Sequence, residues 1–157
     1  MAIKLLIVDD HGVLRAGLRA LLNNEADMEV IGEASNAEEA AQQVLDHRPD
    51  VVLMDISLSG ESGIEITKLL TRQHSKTKVL MLTIHEDETL LRAAIQAGAS
   101  GYILKRAVES ELVNAIRAVA GGDMYIHPAM TRSLLKAQRG VPKIDETITL
   151  TWKQLED

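Results

Sequence analysis

The stretch VVLMDISLSG, residues 51 to 60, sets four apolar residues before an aspartate and then a small polar run that ends on glycine. IKLLIVDD, residues 3 to 10, has the same build, an apolar run closed by two more carboxylates, Asp9 and Asp10. Runs this short and this apolar read as buried strands, so the question is why each one stops on acid. A single Asp after a strand is most often a turn former or a helix cap. The positions of the other runs decide whether these are.

Further apolar runs lie at 28 to 33, 78 to 83 and 101 to 104, and a helical pattern follows each run. The first helix shows its period at Leu14, Leu18, Leu21 and Leu22. The second shows it at Ala37, Ala40, Ala41, Val44 and Leu45, after a capping signal in which Ser35 pairs with Glu38 or Asn36 with Glu39. Ile66, Leu69 and Leu70 mark a weaker third helix, and Leu112, Val113, Ile116, Val119 and Ala120 a clear fifth. Residues 87 to 97, with Leu90, Leu91, Ala94 and Ile95, read as a helix without a polar face, which suggests a partner. Strands that alternate with helices require a parallel sheet with right-handed crossovers and helices on both faces. The fold class is therefore α/β, a doubly wound five-stranded parallel sheet of order 2-1-3-4-5. In such sheets ligands bind beyond the carboxyl ends of the strands where the order reverses, here between strands one and three.

Composition fits one ordinary domain with an appendage. The chain has 157 residues, 46% hydrophobic and 25% charged, which argues against disorder, and one core is expected. Aromatic residues are only 2%, so that core must be aliphatic. The absence of cysteine excludes disulfides and thiolate metal sites. Nothing at the N-terminus reads as a signal peptide and no stretch as a membrane span, so a cytoplasmic location is the expectation. Residues 1 to 123 carry 12 Lys and Arg against 19 Asp and Glu, a net charge of −7 that does not favour nucleic acid. Residues 124 to 144 carry four basic side chains and no acidic one. With GGD at 121 to 123 and RGVPK at 139 to 143, this shift marks a domain over 1–122, a linker over 123–147 with a short helix at about 128–138, opened by Pro128, and a separate segment over 148–157.

Following the strands to the acidic rim adds Thr83, which ends KVLMLT, and Lys105, which ends GYILK. Three carboxylates, a hydroxyl and an ammonium then converge. Like charges about 4 Å apart repel by roughly 4 kcal/mol per pair at an effective dielectric near 20, which Lys105 alone does not offset. A hard divalent cation would, and Mg²⁺, which takes one or two carboxylates plus a phosphoryl oxygen, fits best.

This set, together with VDDH, DVVLMDISLSGESGIE, MLT and AGASGYILK, resembles the CheY-like receiver domain of two-component response regulators over about residues 3 to 122. The resemblance implies that Asp55 is the phosphoacceptor, supplied by a sensor histidine kinase, and that Asp9, Asp10 and Asp55 hold Mg²⁺. It implies that Thr83 bonds the phosphoryl group and Lys105 pairs with it, with Tyr102 as the aromatic switch. Ser57 and His85 match positions that tune phosphate lifetime. Phosphorylation would switch the face formed by helix four, strand five and helix five, and homodimers are an expectation of the family. The implied module is a phosphoacceptor rather than an enzyme, with at most weak self-catalysed phosphotransfer and autodephosphorylation. Two departures stand out: Ser59 replaces a Pro common in relatives, which suggests a less rigid loop, and Val108 replaces a capping Ser or Thr. His11, His47, His74 and His127 read as incidental or surface residues.

The ending TLTWKQLED, with a capping box of Thr151 and Gln154, resembles the opening of the LuxR-type helix-turn-helix of the NarL and FixJ subfamily, although Trp152 replaces the usual Pro. No recognition helix follows, so DNA would be bound only through an effector domain largely missing from this chain. Other readings are a degenerate receiver serving as a docking module and an aspartyl phosphatase of the haloacid dehalogenase kind. The phosphatase would want Asp-x-Asp and a cap domain, where this chain has Asp9 and Asp10 adjacent. A flavodoxin-like nucleotide binder would want a Ser/Thr/Gly-rich loop where DDHGVLR stands.

Overall fold

The computed structural model describes residues 2–131. Five strands, β1 (Ile3–Val8), β2 (Met28–Ala34), β3 (Val51–Asp55), β4 (Lys78–Thr83) and β5 (Gly101–Leu104), alternate with five helices, α1 (Gly12–Asn23), α2 (Ala37–His47), α3 (Gly63–Gln73), α4 (Glu88–Gln96) and α5 (Val108–Ala120). A sixth strand of two residues, β6 (Tyr125–Ile126), follows α5. The sheet runs β2-β1-β3-β4-β5-β6 and every pairing in it is parallel. The five-stranded order read from the sequence is present, with β6 added at the edge beside Gly101 and Tyr102, inside the segment read as linker. A two-residue strand is too short to show a period, so no pattern announces it.

Alternation along each strand divides the apolar residues between two faces. Leu6, Val8, Val52, Met54, Val79 and Met81 face α2, α3 and α4, whereas Leu5, Ile7, Val51, Leu53, Leu80 and Leu82 face α1 and α5. Because both faces are covered, the strands are continuous apolar runs, and the single core expected from length is in fact two layers separated by the sheet. Leu53 and Leu80 are wholly buried, and truncating such a side chain to Ala typically costs about 2–5 kcal/mol.

Local signals fix the helix starts. Asn36 caps α2 by accepting from the Glu39 amide at 2.9 Å, and Glu39 reaches back to Ser35, so the second of the two expected pairings is the one formed. α5 begins without a side-chain cap, as Val108 suggested, after a 3₁₀ turn over Lys105–Ala107. Three expectations fail. α4 has a polar face after all: Leu91, Ala94 and Ile95 are buried, Thr89 and Gln96 are exposed, and a half-buried Glu88–Arg92 ion pair of 2.6 Å runs along the flank between them. The Ala residues beside that pair had made the helix look apolar all round. In α3 the inward stripe is Ile66, Thr67 and Leu70, leaving Leu69 56% exposed. Leu45 of α2 is likewise 54% exposed.

The chain is helical from Pro128 to Thr131, and Met130 is wholly buried beside Tyr102 and the inner face of α4. The remainder of the expected helix to residue 138, the Thr151–Gln154 capping box and the 148–157 segment lie outside the described residues. No helix among the described residues is long and apolar enough to cross a membrane.

Tyr102 and Tyr125 are the chain's two tyrosines. Burial pushes the Tyr102 hydroxyl up to about 12, and burial reinforced by the bond to Glu111 pushes Tyr125 up to about 12 as well. An unfolded tyrosine ionises near 10. The folded state therefore keeps these protons longer, and the stability they confer is whole below pH of about 10 and is lost as pH rises through about 12. Alkaline titration followed by tyrosinate absorbance should show little ionisation near pH 10 while the fold persists. A midpoint at the ordinary value for both residues would contradict this packing.

Candidate functional site

The parallel sheet brings the predicted residues to one rim. β1 delivers Asp9 and Asp10 just past its last residue, β3 ends on Asp55, β4 ends on Thr83, and Lys105 opens the turn after β5. Asp9 and Asp55 are 1% and 3% exposed, an unusual depth for carboxylates. Ligand atoms of Asp9, Asp10, His11 and Asp55 all lie within 4.8 Å of one another. Lys105 Nζ stands 3.4 Å from Asp9 Oδ2 and 3.3 Å from Asp55 Oδ1, so one ammonium is shared by two carboxylates.

Around this centre the polar atoms are unequally satisfied. The Ser57 amide donates to Asp55 Oδ1 at 3.1 Å, and the Ser59 amide donates to Asp10 Oδ2 at 2.7 Å, joined there by the Ser59 hydroxyl. Asp9 Oδ1 accepts from the His11 amide at 2.8 Å, and the Arg15 guanidinium donates to the Asp9 carbonyl. Asp10 Oδ1 and Asp55 Oδ2 are buried with no hydrogen-bond partner among the described residues. Burial pushes the Asp55 carboxyl up, with Asp9 adding repulsion and the Ser57 amide and Lys105 opposing it. Asp10 is held below its usual range, chiefly by the Ser59 hydroxyl. All three acids offer hard oxygen, the donor type that suits Mg²⁺.

Thr83 Oγ1, wholly buried, accepts from the His85 amide at 3.0 Å. The Tyr102 ring is buried with its hydroxyl 3.5 Å from the His85 carbonyl, so the hydroxyl and the ring expected to act as a switch meet at one loop residue. A cleft of about 180 Å³ at the acids is lined by His11, Asp55, Ile56, Ser57, Ile84, His85 and Lys105. A larger cleft of about 390 Å³ lies at the opposite rim, between Arg48–Asp50 and Gln73–Thr77, away from the acids.

Some roles differ from the reading of the sequence. His11 is not incidental: its Nδ1 lies 3.1 Å from Asp9 Oδ1 and 3.0 Å from Asp10 Oδ1, and adjacency to the two acids was the signal. Nor is His127 a surface residue, since its ring is 14% exposed and 2.5 Å from Glu111 Oε2. Ser59 does not loosen its loop; it ties the loop to Asp10, an effect that needs the tertiary neighbour to be visible. Arg15 was also missed. Its Nε lies 3.0 Å from Glu33 Oε1, and this contact between α1 and β2 is silent in sequence spacing.

Comparison with known proteins agrees with this arrangement. Residues 5–117 match the family described as response regulator receiver domain. The chain is 45% identical over 133 residues to the oxygen regulatory protein NreC of Staphylococcus carnosus, covering 84% of this chain and 61% of NreC. It is 38% identical over 144 residues to the transcriptional regulatory protein DegU of Brevibacillus brevis, covering 92% of this chain and 61% of DegU. The chain thus spans about 61% of the length of these two relatives. A LuxR-family two-component response regulator from Aurantimonas sp. SI85-9A1 has a similar structure, with a TM-score of 0.84, 32% identity, and coverage of 88% of this chain and 99% of that one.

Gly63 sets how closely α3 approaches the acid rim. Its amide donates to the Ile56 carbonyl at 2.9 Å, and a Cβ there would stand 2.1 Å from the Asp55 carbonyl oxygen and 2.9 Å from Ile56 Cα. Those are backbone atoms that cannot swing aside. Gly63→Ala should therefore cost about 1–3 kcal/mol in urea unfolding, and unchanged stability would show that this approach is not tight.

Proposed function

This chain belongs to the response regulator receiver domain family, and from that premise we propose that Asp55 accepts a phosphoryl group from the phosphohistidine of a sensor histidine kinase, with Asp9, Asp10 and Asp55 holding Mg²⁺. The observation that carries the proposal is the pair of buried carboxylate oxygens, Asp10 Oδ1 and Asp55 Oδ2, that accept no hydrogen bond among the described residues, at a rim of hard oxygen donors. When bound, Mg²⁺ supplies positive charge against the phosphoryl oxygens, the main need of a loose phosphoryl-transfer transition state.

The chain's own groups do the rest. An Asp55 oxygen attacks phosphorus in line as the phosphorus–nitrogen bond of the donor breaks, and the departing imidazole takes up a proton from solvent. Lys105, already within 3.3 Å of Asp55, stays beside the new acyl phosphate and offsets its charge. Ser57, whose amide donates to Asp55 Oδ1, fixes which way the carboxylate faces. Phosphorylation adds about −1.5 to −2 charges and three acceptor oxygens, so the Thr83 hydroxyl gains a stronger acceptor than its present neighbours. Because Thr83, the His85 backbone and Tyr102 are linked, that shift reaches α4, β5 and α5. Ser57 and His85, which both line the cleft, tune phosphate lifetime in this reading. The protein acts as a phosphoacceptor with self-catalysed transfer and dephosphorylation rather than as an enzyme on a separate substrate. In the longer relatives' arrangement, the switched face would govern homodimerisation and, through an effector domain beyond this receiver, DNA binding and transcription.

The direct test is intact-mass spectrometry after incubation with a small phosphodonor. One phosphoryl adduct should form with Mg²⁺, fall sharply with chelator and vanish in Asp55→Asn. Lys105→Ala should accept phosphate far more slowly, by at least tenfold. An adduct on Asp55→Asn at the wild-type level would move the nucleophile elsewhere.

A further inference from the structure

The hairpin that follows Asp55, in which Ser57–Leu58 pairs antiparallel with Glu61–Ser62, places Ser59 next to the tight turn at Gly60. Ser59 is exposed, yet both of its donors, the backbone amide at 2.7 Å and the side-chain hydroxyl, converge on the same oxygen of Asp10, 49 residues away in sequence. The other oxygen, Asp10 Oδ1, is buried and accepts no hydrogen bond among the described residues, with the His11 Nδ1 3.0 Å away, inside the cluster formed with Asp9, His11 and Asp55. One carboxylate is thus divided into an oxygen clamped by Ser59 and a second oxygen that accepts no hydrogen bond among the described residues and has only the exposed His11 ring beside it at 3.0 Å.

We propose that Ser59 is the positioning residue of the cation site: its two donors fix Asp10 so that Oδ1 alone is presented to the metal, and they tie Asp10 to the hairpin that carries Asp55. This rests on the cation-dependent phosphoacceptor reading above and deepens it. The physical reason is preorganisation. Asp10 follows β1 and Asp55 ends β3, so nothing in the sheet itself sets the rotamer of Asp10. A strap from the segment just after Asp55 does so before any cation arrives. Groups that hydrogen-bond the ligating carboxylates of a metal site typically matter 10- to 100-fold in affinity. A proline at this position would lack the amide donor as well as the hydroxyl, so the residue type at 59 decides whether the clamp exists.

The test is the affinity of the purified chain for Mg²⁺ by titration calorimetry, repeated with Mn²⁺ by electron paramagnetic resonance, for the wild type, Ser59→Thr, Ser59→Ala and Ser59→Pro. Thr keeps both donors and should bind within about twofold of the wild type. Ala keeps only the amide and should bind several-fold more weakly, and Pro, with neither donor, at least about tenfold more weakly. Melting temperatures without cation should stay close together for Thr and Ala, because residue 59 is exposed and the effect is on the site rather than on the fold. Equal or tighter binding by Ala and Pro, with the wild type still binding and accepting phosphate, would overturn the clamp and leave the phosphoacceptor reading intact. A wild type that binds neither cation would overturn both.

Discussion

Three carboxylates from two separate stretches of chain share one rim with a single nearby ammonium, and most of what distinguishes this molecule follows from that crowding. Asp9 and Asp55 are almost fully buried, and Lys105 stands between them at 3.4 and 3.3 Å. One positive charge does not offset three negative ones at such separations. Hydrogen-bond donors from Ser57, Ser59 and His11 relieve part of the excess, while Asp10 Oδ1 and Asp55 Oδ2 accept no hydrogen bond among the described residues. Like charges held this close cost free energy that an added positive charge offsets, which suits the site to a cation.

The fold makes this crowding possible at modest cost. Parallel strands all end on the same side, so the residue that follows each apolar run is delivered to a common edge without further design. The order reverses between β1 and β3, which puts Asp9 and Asp10 next to Asp55. Both faces of the sheet are sealed by helices, so the strain of an acidic rim is borne by two well-packed aliphatic layers. The same β5 that brings Lys105 to the rim carries Tyr102 into the layer under α4, where Met130 also packs.

Much of this was legible in the chain itself. The apolar runs, their spacing and the polar residue that closes each run were enough to place Asp9, Asp10, Asp55, Thr83 and Lys105 on one edge, because strand ends in a parallel sheet are fixed by connectivity alone. What escaped depended on tertiary neighbours. Ser59 read as a missing proline, when its meaning lies in a donor pair aimed at Asp10. His11 looked like one histidine among five, although its ring leans on two of the acids. The polar side of α4 was hidden because Ala and Leu count alike in a periodicity, whereas packing separates Ala94, which is buried, from Ala93, which is only partly covered. The edge strand β6 has too few residues to announce itself.

The central claim, that the gathered carboxylates need a divalent cation, is tested most directly by thermal unfolding of the wild-type chain as Mg²⁺ is raised at constant ionic strength. A cation that binds the folded state alone stabilises it by about 2.7 kcal/mol at a hundredfold excess over its dissociation constant, which for a chain of this size is a rise in melting temperature of roughly 5–10 °C. The rise should follow a single-site binding curve and disappear when Asp10 and Asp55 are both replaced by Asn. A melting temperature that does not respond to Mg²⁺, or that responds equally in the double variant, would contradict it.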